Sequence, residues 1–472
     1  MVHYRNFNPF LMGHDTMKYL ALDLGSSFVK AAILDTKKEI IHSRQKIPSL
    51  PKLPGEETRY EIDSELLWGQ VKKMIDGYIE FQGMPDGILL STQMHGFVLT
   101  DNAGLPVSHY ISWQDNRSLE NYEGQSWYTH LDRLISREDM ANTGLTLKPN
   151  LGICKLYPLV QENVIPPGSH LSTLGSYIIR RLTGNNICHI TNAAPMGLVD
   201  ILHKAWDWPL IEKIGCHNIQ FPEITAEFSP CGMYSYCGAD IPVYPDMGDH
   251  QACILGSLVQ PGKDVNINIG TAGLIGIVTE GFCPGAYGEI RPLNGNLYIK
   301  TVRGLFGGRD MDVLVGFLED CINRITGIQI HSEEIWKALH TLQSNNYMTE
   351  SSLCINNGFY TNGTIEKINY TNFSLASLIA ELYSSAAKDY ASALKRIDPL
   401  VKVKHIVFSG GAAQQNFPLM RRISNEIGCT WECSPVSDEA MLGLYRVALV
   451  CSGQYKEIQD TRESARVVTI KE

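Results

Sequence analysis

Apolar and polar residues fall in blocks along the chain, and the period of the blocks changes. Tyr19-Leu20-Ala21-Leu22 is a short apolar run that ends at Asp23-Leu24-Gly25, and Phe28 to Asp35 is a second run, followed by polar Thr36-Lys37-Lys38-Glu39. This predicts strand, tight glycine turn, strand, turn. From Glu61 to Ile79, the residues Leu66, Leu67, Val71, Ile75 and Ile79 fall near helical spacing, which predicts an amphipathic helix. Gly87 to Ser91 reads as a buried strand running into Gln93-Met94-His95-Gly96.

Residues 125–190 read as mainly helical, with breaks at Pro149 and at Pro166-Pro167-Gly168. Ile241 to Tyr244 is a short strand candidate, and a helix begins at Asp249. Strand structure resumes over 265–273, helices are expected at 310–326 and 373–395, His405 to Ser409 is a strand entering Gly410-Gly411, and Glu439 to Val450 is a late helix. Strands alternating with helices define an α/β protein.

One pattern occurs twice. Leu22-Asp23-Leu24-Gly25-Ser26-Ser27 resembles Ile267-Asn268-Ile269-Gly270-Thr271-Ala272: apolar residues flank a polar one, then come glycine and a hydroxyl residue. One copy opens the chain and the other lies past its middle, which suggests two related domains facing a cleft. An echo this short also arises by chance.

Composition narrows the partners. The chain has 472 residues, 44% hydrophobic and 19% charged, enough for two or three domains with real cores. Its net charge of −10 repels nucleic acid and anionic lipid, so neither is an expected partner. The 12 cysteines show no zinc spacing and read as small buried side chains in a reducing, cytoplasmic setting. No stretch is long and apolar enough for a membrane span, and residues 1–16 read as a ragged extension without a signal-peptide pattern.

Three glycine turns are candidate phosphate or nucleotide contacts. Gly25 lets backbone N–H groups approach a phosphate, and Ser26 and Ser27 add hydroxyls. Asp23 would repel phosphate directly, so its reading is through Mg²⁺. Gly270-Thr271 has Asn268 at the matching position, and Gly410-Gly411 follows a β-branched run. Ordinary hairpins fit each turn taken alone. Asp249 is the candidate base: beside a helix N-terminus its carboxylate is held as the anion, although aspartate is also a common N-cap. Gln93, His95, Trp113, Asp115 and Arg117 suit a sugar, with Asp115 accepting from hydroxyls and Trp113 offering a ring face. Asp115 and Arg117 could instead form a weak surface salt bridge.

With these residues in order from about Lys18 to Val450, the sequence resembles the FGGY family of carbohydrate kinases. Gln93-Met94-His95-Gly96 followed by Trp113-Gln114-Asp115-Asn116-Arg117 is the most specific part, and it resembles ketose kinases more than glycerol kinases. The resemblance implies two actin-like, ribonuclease H-like domains closing on a cleft, at 17–256 and 257–454. It implies ATP and Mg²⁺ and a small sugar as acceptor; a homodimer is compatible with the sequence, which does not fix the oligomeric state. It matches Asp249 to the base, Asp23 to the metal carboxylate, and Gln93, Met94 and His95 to the sugar loop. Thr271 matches the second turn's threonine, Gly410, Gly411, Gln415 and Asn416 the adenosine turn, and Gly308 a further nucleotide glycine.

Ser26, Ala272 and His250 depart from the usual pattern. His250, standing between Asp249 and Gln251, and Trp113-Gln114-Asp115 resemble sedoheptulose kinases, with xylulose and ribulose kinases close behind. A non-catalytic actin-like nucleotide switch or sugar sensor would keep the turns without needing the base. A dehydrogenase would need a Gly-x-Gly-x-x-Gly after the first strand, which is missing.

Overall fold

The computed structural model describes residues 17–282, 288–344, 352–360, 362–400, 402–414, 416–436 and 438–471, with the side chains of 340–344, 412 and 414 left aside. The first half is built on β1 (Lys18–Leu24), β2 (Phe28–Asp35), β3 (Ile40–Pro48), α1 (Ser64–Gln82), β4 (Gly87–Thr92), α2 (Gly152–Gln161), β5 (Gly232–Tyr236), β6 (Ala239–Val243), β7 (Met247–Gly248) and α3 (Asp249–Gly256). The second half is built on β8 (Asp264–Ile269), β9 (Gly273–Glu280), β10 (Glu289–Asn294), β11 (Leu297–Leu305), α4 (Gly308–Thr326), α5 (Leu375–Ile397), β12 (His405–Ser409), α6 (Phe417–Ile427), β13 (Thr430–Cys433) and α7 (Glu439–Cys451). A final strand, β14 (Thr469–Ile470), returns to pair with β3.

The first sheet runs β5-β6-β4-β1-β2-β3-β14, with β7 also on β4, and the second runs β10-β11-β9-β8-β12-β13. The sequence echo is a repeat of topology. β1 is antiparallel to β2 and parallel to β4, and β8 is antiparallel to β9 and parallel to β12. Side chains alternate across β1, and both faces are buried, which is why the strand reads as a continuous apolar run. Leu20, Leu22 and Leu24 enter a core with Val71 and Ile75 of α1. Tyr19 and Ala21 enter another, shared with Leu255 of α3, Leu444 and Val447 of α7 and Val407 of β12. That second core joins the two sheets.

Two expected boundaries move, for local reasons. The first helix begins at Ser64 because Asp63 caps it, its Oδ1 accepting from the Glu65 and Leu66 N–H groups at 2.9 Å each. Glu61 and Ile62 are extended and pair with Tyr110 and Ile111. Residues 125–190 hold helices at Trp127–Leu134, Arg137–Ala141, Gly152–Gln161 and Leu174–Thr183, but also strands at His170–Thr173 and Ile187–His189.

The helices α3 and α7 cross at backbone contact. A Cβ on Gly256 would lie 1.8 Å from the Glu439 carbonyl oxygen, and one on Gly443 would lie 2.0 Å from that of Ala252. Only glycine fits at either place.

Candidate active site

Register gathers the candidate residues at one edge. Along the parallel pair, Asp23 stands opposite Ser91 and Leu24 opposite Thr92, while Met247 and Gly248 stand opposite the same two residues from β7. The chain leaves this edge in three neighbouring loops: Gly25-Ser26-Ser27, Gln93-Met94-His95-Gly96 and the turn into Asp249. Ligands of α/β proteins collect at such carboxyl ends of strands. The second sheet repeats the arrangement, with Asn268 opposite Ser409 and exits at Gly270 and Gly410. Ser91 Oγ donates to Asp23 Oδ1 at 3.0 Å, and Asn268 Nδ2 donates to Ser409 Oγ at 3.1 Å. One polar pair thus occupies matching positions in both halves, with a carboxylate only in the first.

Gly248 takes the N-cap position, and Asp249 is the first helical residue, so the N-cap reading of Asp249 does not hold. Its Oδ1 accepts from the His250 N–H at 2.7 Å. Burial and the nearby Asp23 carboxylate push its pKa up to about 6, against the opposing pull of that N–H, Arg303 and Arg291. Asp23 is itself raised, first by burial, while Lys30 acts to lower it. Lys30 Nζ bridges Asp23 at 3.2 Å and Asp438 at 3.1 Å, and Arg44 reaches Asp438 at 3.4 Å.

The loop after β4 is packed tightly. A Cβ on Gly96 would lie 2.3 Å from the Tyr110 hydroxyl, and one on Gly248 would lie 2.7 Å from Met94 Sδ, so Met94 packs against the residue before Asp249. His95 adopts a left-handed φ of 67°. Its Nδ1 donates to the Pro195 carbonyl at 3.1 Å, and its Nε2 accepts from Arg291 Nη2 at 3.4 Å, so the ring is neutral. Burial, then Arg291, holds its pKa well below the usual range. Among the described residues, buried Gln93 Oε1 has no partner, nor have the Tyr110 hydroxyl, both ring nitrogens of His250 and Gln251 Oε1. Buried polar atoms left open in one neighbourhood suit a hydroxyl-rich ligand.

Asp115 and Arg117 play a different part from the one expected. The pair is buried, not on the surface. Asp115 Oδ1 accepts from Arg117 N at 3.0 Å and Nε at 2.8 Å, and Oδ2 accepts from Arg117 Nη2 at 2.8 Å and Tyr60 N at 2.7 Å. Both oxygens are therefore filled by the protein and are not open to sugar hydroxyls. Arg117 also meets Glu61 at 2.5 Å. Beneath them lies Lys155 of α2, fully buried, donating to the Ser112 and Asn150 carbonyls at 3.0 and 3.1 Å. Burial lowers its pKa to about 7. Trp113, half-buried, lies between Ser112, whose carbonyl Lys155 holds, and the Asp115–Arg117 pair in the chain.

In the first two glycine turns the open donors are not those of Gly25 and Gly270. Gly25 N–H closes the hairpin onto the Phe28 carbonyl at 3.1 Å, so the free groups are those of exposed Ser26 and Ser27. Thr271 and Ala272 are exposed in the second turn, whose carbonyls are held from behind: Gly308 N–H donates to Gly270 at 2.8 Å and Arg309 N–H to Thr271 at 3.0 Å. Gly410 has φ 87°, and a Cβ there would lie 2.7 Å from the Ile269 carbonyl oxygen. Space beside Gly411 is open. Asn416 is committed elsewhere: it caps α6, accepting from Leu419 N–H at 3.2 Å and donating to the Tyr383 hydroxyl at 2.7 Å. Gln415 lies outside the described residues.

Sequence reading missed Lys30, Glu289, Arg291, Arg303, Asp438 and Lys155. Lys30 interrupts an apolar strand, which was a usable signal. Arg291 and Glu289 come from β10 of the second sheet, where Glu289 accepts from Arg291 at 2.7 Å and from Lys148 at 2.5 Å.

Two sheets of matching topology, with their turns and one carboxylate at facing edges, define a two-lobed protein of the actin-like ATPase class. The solved structures agree. The chain superposes on a glycerol kinase from Plasmodium falciparum with ADP with a TM-score of 0.77 at 16% identity, covering 96% of this chain and 93% of that one. It superposes on a gluconate kinase from Lactobacillus acidophilus at 0.78 and 16%, covering 95% and 92%, and on a xylulose kinase from Rhodospirillum rubrum at 0.77 and 16%, covering 94% and 92%. The model of the FGGY family of carbohydrate kinases, N-terminal domain, matches residues 18–256, and the chain belongs to that family. Curated relatives include a glycerol kinase from Halorhodospira halophila, 26% identical over 268 residues, 52% of this chain and 51% of the relative. Another is a glycerol kinase from Streptococcus agalactiae, 24% identical over 309 residues, 62% and 58%. The chain thus matches little more than half the length of these relatives.

Proposed function

We propose that this protein is an ATP-dependent carbohydrate kinase that transfers the γ-phosphoryl group to a terminal hydroxyl of a small sugar. The observation that carries the reading is Asp249: a carboxylate with its pKa pushed up to about 6, beside a loop of unpartnered polar atoms and next to the first glycine turn. A general base works best with a pKa near the operating pH.

In this reading the sugar lies over Gln93, Met94, His95, His250 and Trp113, held in register by the Asp115–Arg117 platform. Asp249 accepts the proton of the attacking hydroxyl. The free N–H and hydroxyl groups of Ser26, Ser27 and Thr271 hold phosphate oxygens, and the open space beside Gly411, flanked by the Gly308 and Gly410 turns, takes the nucleoside. Positioning and electrostatics supply most of the rate. Among the described residues no three metal-ligating side chains come together. Mg²⁺ fits without such a cage, because it binds through one or two carboxylates with phosphate and water oxygens. Asp23 would hold it, and the ion would supply charge neutralisation on the phosphates.

The preferred acceptor is sedoheptulose, on the residues Trp113-Gln114-Asp115 and His250, with xylulose and ribulose as alternatives. The neutral His95 and the open Gln93 Oε1 support a neutral polyhydroxy ligand. We assign the lobes to 17–256 and 257–454, with β14 lying on the first sheet, and the site of action to the cytoplasm. Among the described residues no helix is long and apolar enough to cross a membrane. The test is Asp249→Asn: turnover should fall roughly 100- to 10,000-fold while nucleotide binding persists. Near-normal turnover would sink the assignment.

A further inference from the structure

Arg303 stands at a fault in the second sheet. Gly273 pairs with Leu305 and Leu274 with Arg303, so Gly304 is an extra residue in β11, and it takes a φ of 75°. A bulge of this kind re-aims the neighbouring side chains, and bulges are common beside active sites. This one adjoins the turn Gly270-Thr271-Ala272-Gly273.

The other cations of the neighbourhood are spent. Lys30 and Arg44 hold Asp438, Arg291 and Lys148 hold Glu289, and Arg117 holds Asp115 and Glu61. Lys155 is tied to two backbone carbonyls. Arg303 is open to solvent, and among the described residues its guanidinium has no hydrogen-bond or ion-pair partner. Its charge is felt at Asp249, His250, His95 and Arg291. Two guanidinium groups close enough to feel each other, one of them without a carboxylate partner among the described residues, suit an anion held beside them.

The echo between the turns points the same way. The first turn presents two hydroxyls, Ser26 and Ser27, and the second presents only Thr271, with Ala272 where Ser27 stands in the first. The second turn is thus one hydroxyl short, and the bulge next to it carries the exposed Arg303.

We propose that Arg303 is a catalytic residue that donates hydrogen bonds to the oxygens of the transferring phosphoryl group. The proposal rests on the kinase reading. In the step, the sugar oxygen forms a bond to the γ-phosphorus, and the bond from that phosphorus to the β,γ-bridging oxygen breaks. The electron pair of that bond stays on ADP, and the hydroxyl proton goes to Asp249. Arg303 stays protonated throughout and moves no proton. Its fork of N–H groups meets negative charge on the phosphoryl oxygens as they pass between the lobes.

The experiment compares the full-length protein with Arg303→Gln and Arg303→Lys. Turnover and KM are measured for both substrates, together with calorimetric binding of Mg-ADP alone and of Mg-ADP with aluminium fluoride and sugar. Arg303→Gln should lose about 100- to 1,000-fold in kcat, and binding of the aluminium fluoride complex should weaken by a similar factor. Sugar KM and ADP affinity should stay within about threefold of wild type, and Arg303→Lys should recover part of the loss. Unchanged kcat overturns the proposal. So does a loss confined to sugar KM, which would make Arg303 a contact for an acidic sugar instead. A wild-type protein that consumes no ATP with any sugar defeats the kinase reading itself, and this proposal with it.

Discussion

At Asp249 burial and Asp23 oppose ionisation, while the His250 N–H, Arg303 and Arg291 favour it. With the group near pH 6, the acid limb of kcat/KM should rise through about pH 6 and flatten above it. A limb near pH 4, the ordinary carboxylate range, would mean that another group serves as base. The same shift bears on stability. The folded pKa lies above the unfolded value of 3.8, so the folded state gains from the protonated carboxyl below that value and loses the gain as pH rises through about 6. Asp249→Asn should therefore flatten the fall in thermal stability between pH 4 and 6 and leave the variant the more stable protein at pH 7. A melting series across that range checks the sign. The sequence exposed Asp249, Asp23 and the glycine turns because each is a local pattern a few residues long. It hid Arg291, which meets His95 from 196 positions away, and Lys30 with Asp438, which are 408 apart. It also misjudged Asp115, because a spacing of two residues does not reveal that four protein donors fill one carboxylate.

At the scale of elements, helix α3 carries Asp249 and α7 crosses it through Gly256 and Gly443. Both backbones approach so closely that Gly443→Ala would drive a methyl into the Ala252 carbonyl. A loss of about 1–3 kcal/mol is expected, as for other overpacked cores. Gly69 and Gly77 in α1 have nothing within 4 Å of an added Cβ, so alanine there should be neutral or stabilising by roughly 0.5–1 kcal/mol. Denaturant midpoints for the three variants decide it, and equal effects would contradict the crossing. Strand and helix periods made most long elements legible, including β1, β2, β4, β8, β12, α4, α5 and α7. Short strands such as His170–Thr173 and Glu61–Ile62 were not, because two to four residues hold no period and their pairing partners lie elsewhere in the chain.

The whole molecule is two related sheets joined by a shared core, with a cleft rimmed by residues from both. Contacts from β10 reach across to the first half through Arg291 on His95 and Glu289 on Lys148. The duplication was readable from one short echo because each half needs a polar residue, a glycine and a hydroxyl at the same strand end. What the echo could not convey is the asymmetry: Asp23, Asp249 and the loop Gln93-Met94-His95-Gly96 in one half, and in the other Arg303, which has no ion-pair partner among the described residues. The central claim is sugar-dependent phosphoryl transfer. Its most direct test is ADP release from ATP and Mg²⁺ across sedoheptulose, xylulose, ribulose, glycerol and gluconate, with phosphorus NMR of the products. The account predicts release that strictly requires one of these sugars and yields one new phosphomonoester per ADP. Bound ATP with no sugar-dependent release for any of them would contradict it.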